Sequence, residues 1–309
     1  MYRTVAAIVM GILLSIGVEV TAQERALRMI IVRDRRAAQD IRQKLQQGAS
    51  FSALAHQQSI GPERQQWGYS GIVRLDDVQA ELRPVLRQLK PGQISEVLSL
   101  GRQYVIVKLI PLEIPRLFEA AKEALRQGQG ARAIESLRTA LRLEPDNVQT
   151  YMSLGLAYEH DAQYEEALKH LDKAQLLAPK EVQIAILRGA LATNAAIKRQ
   201  DPLYAKKAII AYQQALQLDE RLAPAVNFGL GKVYLMALKQ PDKALSYLET
   251  AVEASPRVPE VYGMLIQAYY DTQRYQQAWE RLRQAQNLGF KFPKLLAALH
   301  KVKEQQSQR

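Results

Sequence analysis

The sequence has no cysteine among its 309 residues. That excludes disulfides, Cys-ligated zinc, a Cys nucleophile and a lipidated N-terminal Cys. Histidine is scarce. His56, His160, His170 and His300 form no ligand-spaced cluster, and His160 and His170 stand ten residues apart. No metal and no cofactor is expected. Neither a Walker loop, nor GxGxxG, nor GxSxG occurs. The net charge of +11 is spread along the chain, without an extended block of Lys or Arg. No basic patch with interleaved aromatics appears, so nucleic acid is not an expected partner, and the charge reads as solvated surface. What remains is ordinary globular composition, 48% hydrophobic and 24% charged, with length for about two domains.

The N-terminus has an apolar run, Val5 to Val18, preceded by Arg3 and followed by Val20-Thr21-Ala22. The run is shorter than the ~20 residues that span a bilayer. Small residues at Val20 and Ala22 suit signal-peptidase cleavage before Gln23, so residues 1–22 read as a signal peptide. Its removal takes away Arg3 and Glu19 together and leaves the charge at +11. A periplasmic or exported bacterial protein is expected. The alternative is an uncleaved inner-membrane anchor facing the periplasm, the one case in which a membrane is a partner.

Residues 24–113 form the first domain. Leu27 to Val32 is an apolar strand, and Ala38, Ile41 and Leu45 have helical spacing. Gly48 suits the left-handed residue after a helix, and Ser50 suits the N-cap of a second helix, FSALAHQQ. Val78, Leu82, Val85, Leu86 and Leu89 predict a third helix over 78–89. A turn, KPGQIS, and the runs EVLSL and YVIVKLI then read as a closing hairpin.

This order resembles the parvulin family of peptidyl-prolyl isomerases over about ninety residues. GASFSALAHQQS is similar to the family's GADFAxLAxxxS, WGYSG stands where GGDLG is usual, and LKPGQIS nearly reproduces LKPGEIS. The resemblance implies an α+β fold and a site of two histidines with a Cys or Asp around the prolyl peptide. Those positions fall on Met29, Gly61 and Val105. The pocket positions, where the family prefers Leu, Met and Phe, fall on Ser70, Val78 and Leu82. Trp67 replaces a glycine beside them. The fold is expected with its polar constellation lost.

The second domain spans residues 114–292. Ala133, Leu137, Ala140 and Pro145 are repeated 34 residues later by Ala167, Leu171, Ala174 and Pro179. Ala244, Leu248, Ala251 and Pro256 repeat them again, and Ala278, Leu282 and Ala285 follow without the proline. Leu154-Gly155 with Tyr158, and Leu230-Gly231 with Tyr234, mark the preceding helices. This pattern resembles the tetratricopeptide repeat. Five helix pairs are expected at 114–147, 148–181, 182–223, 224–258 and 259–292, forming an all-α superhelical solenoid. The third, marked by Gly189, Ala208, Tyr212 and Ala215, carries about seven extra residues at its helix turn, in NAAIKRQDPLYAKK. Residues 293–309 suit a capping helix.

The resemblance implies a concave groove lined by first helices. Repeat position places Phe118, Lys122, Met152, Leu156, Glu159, His160, Ile186, Asn194, Phe228, Lys232, Gln267 and Tyr270 there. Lys122 and Lys232 do not reproduce the Lys, Asn and Arg set with which some arrays hold a chain-terminal carboxylate, so a mixed apolar and polar peptide is the expected ligand. The whole reads as an exported protein-binding or chaperone-like assembly factor whose partners are protein segments, proline-containing or unfolded. An active prolyl isomerase and a pure scaffold of an envelope complex stand as alternatives.

The N-terminal reading predicts that the mature exported protein begins at Gln23. Edman sequencing of protein recovered outside the cytoplasm checks it, and an intact Met1 in the membrane fraction supports the anchor instead.

Overall fold

The computed structural model describes residues 24–307. The signal-peptide reading falls on residues 1–22 and lies outside them. Among the described residues no helix is long and apolar enough to cross a membrane. The chain divides into two compact units, residues 1–157 and 158–309.

The first unit opens with a strand, β1 (Glu24–Val32), then helices α1 (Arg35–Gln46) and α2 (Phe51–Gln58). Both helices are capped as the residue types dictate. The Asp34 side chain accepts from the backbone N–H groups of Arg36 and Ala37, and Ser50 accepts from that of Ala53. Gly48, just past α1, has φ +89°, where glycine meets no steric penalty. A short 3₁₀ turn (Pro62–Gln66) leads to β2 (Tyr69–Arg74), then α3 (Arg83–Gln88), β3 (Leu98–Leu100) and β4 (Gln103–Ile110). The strands form one antiparallel sheet in the order β2-β1-β4-β3.

The third helix is shorter than its apolar spacing predicts. Residues 75–77 form a 3₁₀ turn and α3 starts only at Arg83. Pro84 is the cause. It has no N–H to give and its ring obstructs the preceding turn, so it fits the first helical turn and not the seventh position of a helix begun at Val78.

Both faces of the central strands β1 and β4 carry apolar packing. Alternation along β1 and β4 sends Leu27, Val105, Val107 and Leu109 to one face, where they pack with Leu82 and Leu86. The opposite face is covered in two halves. At one end Ile30, Val32 and Ile106 pack under α1 and α2. At the other end Ala26 and Ile110 meet Ile114 of the next helix, α4 (Glu113–Arg126). With α5 (Gly130–Leu143), α4 makes the first helix hairpin, closed by Ala121, Ala124, Ala133, Leu137 and Ala140. The helix α6 (Val148–His160) follows and carries the boundary between the units.

The second unit continues with α7 (Tyr164–Leu177), α8 (Val182–Arg199), α9 (Pro202–Leu218), α10 (Ala223–Lys232, extended by a π turn over Val233–Ala237), α11 (Pro241–Ala254), α12 (Pro259–Asp271), α13 (Tyr275–Asn287) and α14 (Pro293–Ser307). The extra residues of the third pair lengthen both helices, to 18 and 17 residues, rather than their connection. Asp201 caps α9 through Leu203 N–H, with Pro202 at its first position. In α14, Leu299 is buried against α12 and α13 while its lysines face outward.

One aromatic ring sets the spacing of α8, α9 and α10. Tyr212 on α9 lies against two glycines, and a Cβ added at Gly189 would stand 2.7 Å from its ring. At Gly229 the clash would be closer still, with the Tyr212 ring and hydroxyl. Burial holds the Tyr212 phenol above its ordinary value.

Two outcomes follow for this contact. Gly229→Val overpacks it and lowers stability by about 1–3 kcal/mol, read from urea unfolding of the full chain. The phenol stays neutral in the folded state at a pH where the unfolded chain ionises, above about 10. The stability it contributes is therefore complete below that pH and is lost as pH rises towards the folded value. Tyr212→Phe makes the alkaline decline in melting temperature shallower.

Candidate functional site

The positions matched to the isomerase site are built from apolar packing. Met29 and Val105 lie on adjacent strands of the same sheet face, Met29 opposite Val107 and Val105 opposite Ile31. Val105 is fully buried, and Met29, Val78, Leu82 and Val105 share one cluster with Leu86 and Leu109. Gly61 opens the 3₁₀ turn, and a Cβ there would run into the Glu63 carboxylate. That carboxylate is buried and accepts from the Ser59 hydroxyl at 2.5 Å. The space beside Gly61 is thus taken by the side chain two residues on.

Trp67 is in the left-handed conformation, φ +56°, and its ring stacks on His56 at 4.3 Å. Ser70 turns back to the Gly68 carbonyl, to which its hydroxyl donates at 3.3 Å.

Two charges interrupt the opposite sheet face, and sequence reasoning missed them. Arg28 and Lys108 are direct cross-strand partners, and both are buried. Like charges in that relation repel. Their counter-ions come from the loop between α5 and α6. Arg28 Nε donates to both oxygens of Glu144, at 3.0 and 3.1 Å. Lys108 Nζ lies 3.1 Å from Glu144 and 3.1 Å from Asp146. Arg28 Nη1 donates to the Trp67 carbonyl at 2.9 Å, and Asn147 Nδ2 donates to Glu144 at 2.9 Å.

The α2 cap joins the same loop. Ser50 donates to the Asp146 carbonyl at 2.7 Å, and Ser52 Oγ accepts from Val148 N–H at 3.0 Å. The missed signal was a cation inside each apolar strand run, LRMIIV and YVIVKLI, with two acids close together in LEPDN.

Beside this network lies a cavity of about 650 Å³. Arg28, Gln66 and Tyr69 from the first domain and helices α4 to α6 line it, with Phe118, Leu125 and Leu156 among its apolar walls. Three of the residues placed in the groove by repeat position, Phe118, Lys122 and Leu156, therefore meet here. Met152 is half-buried on α6.

In the second unit, Glu159, Asn194 and Lys232 are brought together. Asn194 Nδ2 donates to Glu159 at 2.8 Å and Lys232 Nζ donates to Asn194 Oδ1 at 3.3 Å. Side chains from α6, α8 and α10 thus form one polar ladder. Ile186 is half-buried on α8, and Phe228 and Tyr270 pack against the C-terminal cluster. Gln267 donates to Asp271 within α12, and His160 is exposed at the end of α6.

The class this architecture defines is a small isomerase-type α+β domain continued by helix-hairpin repeats. The profile of the PPIC-type PPIASE domain matches residues 20–123. Tetratricopeptide repeat profiles match 118–181, 205–259 and 235–301. The chain carries a PPIC-type PPIASE domain followed by tetratricopeptide repeats.

Superkiller complex protein 3 of Homo sapiens is 33% identical over 135 residues, which are 42% of this chain and 8% of that protein. The chain thus spans less than a tenth of that relative's length. The solved structure of Pseudomonas Aeruginosa pilF is 20% identical with a TM-score of 0.50, over 63% of this chain and 86% of that one, a likeness of fold. A solved PpiC-type peptidyl-prolyl cis-trans isomerase domain is 26% identical with a TM-score of 0.27, over 29% of this chain and 90% of that domain.

Removing one partner of a buried ion pair leaves the other charge uncompensated. Glu144→Ala is expected to cost the first unit about 3–5 kcal/mol. Unfolding followed by Trp67 fluorescence in a Trp279→Phe background reads that unit separately.

Proposed function

We propose that this protein is an exported protein-binding factor, chaperone-like or assembling in its role, whose PPIC-type domain holds polypeptide without efficient catalysis. Its repeats and its PPIC-type domain both belong to classes that bind protein or peptide. The observation that carries the non-catalytic reading is the apolar cluster of Met29, Val78, Leu82 and Val105. Rotation about a prolyl bond meets a barrier of about 18–20 kcal/mol. Lowering it requires groups that favour the twisted amide over the planar one. Met and Val side chains offer the amide no hydrogen bond.

The half-buried ladder of Glu159, Asn194 and Lys232 supports binding by the repeats. It presents donors and acceptors at a fixed spacing, which suits the backbone of an extended segment. The N-terminal 22 residues support export, and the chaperone-like role rests on the pairing of the two domain types.

A prolyl-peptide assay with the full chain tests the reading. The uncatalysed reaction takes tens to hundreds of seconds, so weak catalysis is visible. The expected rate is close to that of buffer alone, with a labelled, permanently unfolded polypeptide still bound. Lys232→Met is expected to weaken that binding about tenfold, as loss of one charge-assisted hydrogen bond does. Strong isomerisation by the purified chain contradicts the non-catalytic reading, and absence of polypeptide binding contradicts the binding role.

A further inference from the structure

We propose that the cavity beside Arg28 is a binding site for a polypeptide segment in which an acidic side chain stands between apolar residues. The proposal rests on the protein-binding reading and adds a ligand chemistry and a place. Arg28 is only 1% exposed, yet it forms part of the cavity lining. A guanidinium has five N–H donors in a planar fork. Nε is used by Glu144 and Nη1 by the Trp67 carbonyl. Among the described residues Nη2 has no hydrogen-bond partner. Nη2 is not sealed from solvent but opens to the cavity, where a carboxylate oxygen is the acceptor that suits a guanidinium donor best.

A second donor faces the same space. Tyr69 lines the cavity, is half-buried, and its hydroxyl has no hydrogen-bond partner among the described residues. Burial raises its phenol, with nearby Arg28 opposing, so the hydroxyl keeps its proton at neutral pH. The rim adds Lys122, beside Glu119, and Arg126, which is paired with Glu123 at 3.1 Å. Lys122 approaches Glu119 only to 4.0 Å, with both side chains exposed, which leaves its charge free to attract an anion.

The remaining walls decide the rest of the ligand. Phe118, Leu125 and Leu156 are apolar, and Leu156 is 44% exposed although it stands on a packed helix. A bare phosphate or a nucleic-acid backbone would leave them wet. A segment with Leu or a similar side chain on either side of a Glu covers them and delivers its carboxylate to Arg28 and Tyr69. The charge already at the site sets a limit on strength. Arg28 and Lys108 are balanced by Glu144 and Asp146, and Arg126 by Glu123, so Lys122 and apolar burial supply much of the attraction.

Fluorescence anisotropy with the full chain tests this. The probes are end-capped peptides containing Leu-Leu-Glu-Leu-Leu or Leu-Leu-Gln-Leu-Leu, and the Gln peptide with a free C-terminal carboxylate. The Glu peptide is expected to bind about tenfold more tightly than the capped Gln peptide, the effect of one charge-assisted contact. Leu156→Glu, at an exposed position that leaves folding intact by circular dichroism, is expected to abolish that binding. Tyr69→Phe is expected to shrink the Glu-over-Gln preference several-fold. Equal binding of the capped peptides, or full binding by Leu156→Glu, overturns the proposal. So does a free-carboxylate Gln peptide that binds as tightly as the Glu peptide, which would assign the site to chain ends. Binding lost in Lys232→Met but kept in Leu156→Glu places the ligand on the ladder and refutes the cavity alone.

Discussion

Two cations stand side by side in the middle of a sheet, and the first unit depends on what neutralises them. Arg28 and Lys108 are cross-strand neighbours, buried, on the face shared by two apolar clusters. Alone, that arrangement combines repulsion with the cost of taking charge out of water. Glu144 and Asp146 screen the repulsion and offset part of the desolvation cost, and they belong to the loop that ends the first repeat. The PPIC-type domain and the first helix hairpin are consequently parts of one structure. α1 and α2 cover half of the sheet face, α4 covers the other end, and the ion network lies between. The serines of the α2 cap hold the same loop, so the segment most like the isomerase family also anchors the repeat.

That join determines what the unit offers to a partner. An isomerase-type domain standing alone would present its polar site on the face that here carries Met29 and Val105. In this chain that face carries apolar side chains, Met29 and Val78 partly buried among them, while Arg28 and Tyr69 line the cavity formed with α4 to α6 on the other side. The second unit adds a polar ladder across α6, α8 and α10, with donors fixed by neighbouring helices rather than by solvent-exposed stems.

Much of the fold was legible because local chemistry and global pattern agree. Asp34, Ser50, Gly48 and Pro202 stand where their conformational preferences require. The 34-residue period reads directly because small residues must recur where helices touch. Pro84 was overridden by an attractive apolar spacing, although its missing N–H fixes where α3 can start. The inserted residues of the third pair read as an addition at its helix turn, yet they lengthen both helices. The site was less legible. Repeat position placed Glu159, Asn194 and Lys232 along one groove, and their side chains are joined by hydrogen bonds because equivalent positions on successive helices adjoin. Arg28 and Glu144 are 116 residues apart and carry no periodic signal. Only a cation inside an apolar strand run hints that an acid must come from elsewhere.

The central claim is that the sheet and the first repeat fold as one body, and native-state hydrogen exchange in increasing denaturant tests it most directly. Amides of β1 and β4 and those of α5 are predicted to converge on one opening free energy, because losing Glu144 and Asp146 would strand two buried cations. If α5 opens at markedly lower denaturant while β1 and β4 stay protected, the ion network does not bind them into a unit and the account fails.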